Sequence, residues 1–96
     1  MPYKFKTTFW SDFTIADAFG VAAIKDTFKR MFNEWRDDVE YLAELAIVTN
    51  WKCWKHYEAG NEEVSRLYND LYYEVRDWAY DNLKGDDLEY YWRMTD

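Results

Sequence analysis

Apolar residues recur at helical spacing along most of the chain, most densely between Asp38 and Asn61. On a helical wheel Val39, Leu42, Ala43, Ala46, Ile47, Asn50, Cys53, Trp54 and Tyr57 share one broad face, the spacing at which an α-helix buries a stripe. Tyr41, Leu45 and Val48 fall opposite. A helix that is apolar on two flanks is covered by neighbours on both. Residues 38–59 are therefore predicted as the central helix of a bundle.

Upstream, residues 1–12 alternate loosely and predict an extended arm, with Phe5, Phe9 and Trp10 clamping onto the bundle. A short β-pairing there has no evident second strand. Thr14 reads as a helix cap, with Asp17 adding favourable charge in the first turn. Ile15, Ala18, Phe19, Ala22, Ala23, Phe28, Phe32 and Trp35 then make 13–36 helical. Gly20, about 1 kcal/mol worse than Ala inside a helix, bends or breaks it.

Asp37 and Asp38 read as the next cap, with Glu40 placed as in a capping box. No Pro or Gly marks the boundary near 36–38. Gly60 stops the central helix, and Asn61 caps a third helix over 62–84. Its buried face is Val64, Leu67, Tyr68, Leu71, Val75, Trp78, Ala79, Asn82 and Leu83. Gly85 ends it, and Asp86 or Asp87 caps a short helix over 87–93 containing Leu88, Tyr91 and Trp92. Short connections make consecutive helices antiparallel neighbours. The expected fold is all-α: an antiparallel three-helix bundle with a short extra C-terminal helix and an extended N-terminal arm, one domain over 1–96.

Composition adds a surface to this frame. A chain of 96 residues buries about 60–65% of its unfolded area. Aromatic residues make up 22% of it, more than so small a core can hide, so some rings belong outside. The net charge of −7 is uneven, with +2 over residues 1–36 and −9 over 37–96. Such acidity repels nucleic acid and anionic membrane and favours a basic partner. Solubility alone is the plainer reading of it. The single Cys53 excludes an internal disulfide, and no leader, long apolar run or lipidation box is present, so a cytoplasmic protein is expected.

Catalytic and metal chemistry finds little support. Cys53 and His56 lie three apart on one helix, but no further Cys or His exists to complete a site, so neither metal nor cofactor is predicted. Cys53 reads as a small core residue and His56 as a residue on the flank. Ser11 and Ser65 lack a nucleophile elbow, and the chain has no Gly-rich phosphate loop and no Glu-x-x-His, so no enzyme is predicted. Ala16, Gly20 and Val21 fit a helix-turn-helix, with charge from Lys25, Lys29 and Arg30, but Asp26 stands where that pattern wants an apolar residue. Asn50 on the core face reads as a hydrogen-bonded polar residue that fixes register.

The third helix carries the most suggestive pattern. Glu63, Asp70, Glu74, Asp77 and Asp81 form one stripe away from its buried face. Carboxylates one turn apart lie about 5–6 Å from each other, and like charges so placed cost a helix a few tenths of a kcal/mol. Fold stability does not favour them. A solvated face is the plain reading, and a row of charge resembling a phosphate backbone is the functional one. Tyr73 and Tyr80 lie beside the stripe, and Glu89, Tyr90, Tyr91 and Trp92 follow. Exposed aromatics of this kind recur at protein–protein hot spots and can stack where bases stack.

The segments DFTIADAFGVAAIKDTFKRMFNEW, ELAIVTNWKCWKHYEAGNEE and DNLKGDDLEYYWRMTD resemble small acidic proteins carried by bacterial phages and conjugative elements. The resemblance covers most of the chain, carries no motif with a chemical role, and assigns no residue. It implies an anti-defence context, of the anti-CRISPR or anti-restriction type. The leading expectation is a non-catalytic inhibitor that binds a basic nucleic-acid-handling defence protein, above all a CRISPR effector nuclease. Glu63, Asp70, Glu74, Asp77 and Asp81 supply charge, and Tyr73, Tyr80 and Tyr90 supply anchors. No direct nucleic-acid or membrane contact is expected. The alternatives are a structural or adaptor module of a mobile element, including a homodimer through apolar aromatic surface, and a DNA-binding regulator through residues 14–30.

Overall fold

Residues 4–95 are described by a computed structural model. They form five helices: α1 (Phe9–Phe19), α2 (Val21–Trp35), α3 (Val39–Glu58), α4 (Glu62–Asn82) and α5 (Gly85–Thr95). No strand occurs among the described residues. The other four helices all pack on α3. Its residues Leu42, Ala43, Leu45, Ala46, Val48 and Thr49 are buried, so both flanks are covered.

The predicted helix over 13–36 is two helices. Gly20 sits at φ 107°, ψ −173°, a conformation that L-residues other than glycine rarely reach. Its N–H still donates to Ala16 O while its carbonyl accepts from Ile24 N, so one residue ends α1 and starts α2.

The predicted arm over 1–12 is shorter, because α1 begins at Phe9. Phe9, Phe13 and Ala16 are its buried residues, at spacings of four and three. The cap is not Thr14, whose hydroxyl donates back to Trp10 O inside the helix. The N–H of Phe9 donates to Thr7 Oγ1 at 3.2 Å, and the segment before the helix is held by α3. The buried Glu44 carboxylate accepts Lys6 N at 2.8 Å and Thr7 N at 2.7 Å, and also the Thr7 hydroxyl. The clamp expected of Phe5 is a stack on Trp10 at 5.8 Å and an edge contact with Trp51 at 5.6 Å. Residues 1–3 of the predicted arm lie outside the described residues.

Asp38 caps α3, its carboxylate accepting from Glu40 N and Tyr41 N. Glu40 does not close a capping box on Asp37, and its carboxylate meets Lys6 Nζ at 3.3 Å. Two residues assigned to the buried face of α3 are exposed, Trp54 at 57% and Tyr57 at 64%. Both lie beyond the level at which Met94 and Thr95 of α5 come beside Asn50 and Trp51. Asn50 is half-buried there and makes no side-chain hydrogen bond among the described residues, so it is not the register-fixing core amide expected.

On α4, Tyr68, Leu71, Val75 and Ala79 are buried, whereas Asn82 is exposed and donates to Trp78 O. Asn61 makes no side-chain cap, and its amide nitrogen lies 3.2 Å from His56 Nδ1. Gly85, at φ 58°, opens α5 rather than closing α4, so the last helix spans 85–95 instead of 87–93. Asp86 and Asp87 fall in its first turn, where the helix dipole favours negative charge. Tyr91 is the buried anchor of α5.

Candidate docking face and buried polar cluster

The helical period carries Glu63, Asp70, Glu74, Asp77 and Asp81 to the solvent side of α4, and all five are exposed. None makes an ion pair or a side-chain hydrogen bond among the described residues. The neighbouring Glu62 differs: Arg66 Nη2 meets its carboxylate at 2.9 Å. The stripe is therefore a row of unneutralised charge at helical-turn spacing. Its electrostatic field reaches outward for about one Debye length, near 8 Å at physiological ionic strength.

Tyr73 and Tyr80 stand beside this row, 44% and 43% exposed. Arg76 lies across both rings, its guanidinium carbon 5.5 Å and 5.0 Å from the two centroids. A guanidinium over two exposed rings attracts each by about 0.5–1 kcal/mol, which favours these orientations. Tyr90 is placed elsewhere, half-buried on α5 against the core and in electrostatic range of Lys6. The α5 ring that joins the α4 pair is Trp92, which is 47% exposed and edge-on to Tyr80 at 6.1 Å. Tyr91, beside it in sequence, is buried.

A second constellation, absent from the sequence reading, lies inside. Asp17 of α1 accepts Lys52 Nζ at 2.9 Å and the Tyr68 hydroxyl at 2.5 Å. Lys52 Nζ also donates to Thr14 Oγ1 at 2.7 Å and sits 4.4 Å from the Trp10 centroid. His56 stacks on Tyr68 at 5.5 Å, and its Nε2 lies 3.1 Å from Asp17 Oδ2, within ion-pair range but out of line for a hydrogen bond. Burial lowers the Lys52 pKa against the opposing pull of Asp17. Burial raises that of Tyr68, and Asp17 raises it further.

With its side chain 1% exposed, Lys52 offers no path to a substrate. The cluster is a tie between helices. Glu44 and Lys52 lie eight residues apart on α3 with buried Val48 between them, in one column at spacings of four. Glu44 holds the entry to α1, and Lys52 holds Asp17 further along it. Asp17 therefore lies in the last turn of α1 and not in a first turn as expected, and its role is that of acceptor in this network.

Cys53 is half-buried, its Sγ 3.5 Å from Ser65 Oγ, and Ser65 donates to Cys53 O at 2.8 Å. No group of three or more His, Cys, Asp or Glu placed to hold a metal occurs among the described residues. No helix among them is long and apolar enough to cross a membrane. Lys25, Lys29 and Arg30 are exposed on α2, with the acidic Asp26 exposed among them.

Neither family models, nor curated proteins, nor solved structures give a match to this chain.

Proposed function

We propose that the protein is a non-catalytic inhibitor that docks its α4 face onto a basic channel of a nucleic-acid-handling protein, a bacterial defence nuclease of the CRISPR effector type. The observation that carries the reading is the row of five exposed acids without ion-pair partners among the described residues, beside the rings of Tyr73 and Tyr80 that Arg76 overlies. Carboxylates occupy positions of phosphates along the channel, and Tyr73, Tyr80 and Trp92 provide the flat contacts that bases otherwise make. The frame is an antiparallel α3–α4 pair, supported by the Cys53–Ser65 contact across the Gly60 turn. A channel already filled with nucleic acid excludes the protein. The test measures affinity for a panel of purified CRISPR effector nucleases with the channel empty and with it filled by guide and target. Binding to an effector only when its channel is empty supports the reading, and equal affinity in both states contradicts it.

A second reading, an adaptor module of a mobile element, is favoured by apolar surface away from α4. Ile15 and Phe19 of α1 are 61% and 78% exposed. Contact through these side chains holds or tightens as salt rises, whereas the α4 contact weakens.

A further inference from the structure

Between α2 and α4 runs an open groove of about 460 Å³ floored by Phe28 and Leu71. Lys25 and Lys29 stand one turn apart on its α2 wall, and Asp70 and Glu74 one turn apart on its α4 wall. All four are exposed, and none makes an ion pair among the described residues, so the walls do not neutralise each other across the opening. A uniformly basic partner meets repulsion from the α2 wall, and a uniformly acidic one from the α4 wall. An occupant suited to both walls carries an acidic pair and a basic pair on either side of an apolar strip.

This chain's own groove is such a surface. We propose that the α2–α4 groove is a self-association face, on which a second copy docks about a two-fold axis. In a two-fold contact each surface meets its own copy, so residue i faces j and j faces i. Lys25 and Lys29 of one copy then face Asp70 and Glu74 of the second, and the same four charges meet again on the other side of the axis. Phe28 and Leu71 are themselves buried, so the contact rests on the two charged rows, with half-buried Leu67 supplying apolar surface beside them. This arrangement covers Asp70 and Glu74, so self-association competes with docking of any other partner on the α4 face. It stands independently of the inhibitor reading, because it concerns the purified protein alone.

The test uses two charge-reversed full-length proteins, Lys25→Glu/Lys29→Glu and Asp70→Lys/Glu74→Lys, each checked for helical content by circular dichroism. Sedimentation equilibrium at low and moderate salt should show the wild type as a concentration-dependent dimer. Each reversed protein alone has two walls of like sign, and its dimer dissociation constant should rise about tenfold or more. An equimolar mixture should restore association as a one-to-one heterodimer, identified by native mass spectrometry. A wild type that is monomeric throughout overturns the proposal. So do reversed proteins that dimerise as well as the wild type, and so does a mixture of folded, reversed proteins that fails to pair.

Discussion

Lys52 Nζ meets Asp17 Oδ2 at 2.9 Å, inside a cluster where the lysine side chain is 1% exposed. The pair ties α1 to α3, and the Tyr68 hydroxyl on the same carboxylate brings in α4. Removing only the carboxylate leaves a buried cation without its counter-charge, which is far costlier than removing both partners. Asp17→Asn should destabilise the protein by about 3 kcal/mol in urea unfolding, and Asp17→Asn/Lys52→Met should regain most of that loss. A single variant as stable as the wild type would remove this tie from the account.

The phenols predict an alkaline limit to stability. Tyr68 and Tyr91 both have raised pKa values, burial being the first cause in each. Above about pH 10 the unfolded chain ionises these groups while the folded chain keeps their protons. The unfolded state then binds fewer protons, so stability is full below pH 10 and falls as pH rises further. The lowered pKa of Lys52 works the opposite way, adding stability as pH climbs towards its unfolded value. Two raised phenols outweigh one lowered amine, so the net slope is negative. Urea midpoints between pH 9 and about pH 11 should fall, and more gently in Tyr68→Phe.

Tyr91 offers a test in the other direction. Its hydroxyl is buried and has no hydrogen-bond partner among the described residues. A buried polar group left unpaired costs about 1–3 kcal/mol. Tyr91→Phe should therefore leave thermal stability unchanged or raise it by about 1 kcal/mol, although it shortens a buried side chain. A clear drop in midpoint would mean that the hydroxyl makes a bond in solution.

Gly20 separates α1 from α2 by its backbone conformation alone. A Cβ there would touch nothing within 4 Å, so the cost of Gly20→Ala is torsional. That cost should be about 1–3 kcal/mol, read as a lowered thermal midpoint with α1 fraying in hydrogen exchange.

The sequence made α3, α4 and the acidic row legible because a helical period alone places such residues inside or outside. Glu44 and Lys52 were not legible. Their burial depends on Lys6, Thr7 and Asp17, which lie 35 to 38 residues away in sequence. The start of α1 at Phe9 was not legible for the same reason, since Lys6 and Thr7 just before it are held by a carboxylate from another helix. Buried Glu44 and Lys52 flank Val48 at spacings of four, and that polar–apolar–polar column was the available signal. The sequence sets Tyr90 with Tyr73 and Tyr80, whereas the exposed α5 ring beside Tyr80 is Trp92. Which side of α5 faces α4 depends on the turn at Leu83–Gly85, beyond what periodicity within α5 conveys.

The proposed inhibition requires that the α4 carboxylates make the contact. The decisive measurement is affinity, across a salt series, for a CRISPR effector nuclease of the kind proposed as the partner. It compares the wild type with Glu63→Gln/Asp70→Asn/Glu74→Gln/Asp77→Asn/Asp81→Asn. The wild type should weaken steeply as salt rises, and the variant should bind at least about tenfold more weakly at low salt with a flattened salt response. Equal affinity and an equal salt slope for the two proteins would contradict the account and leave the row as a solvated helix face.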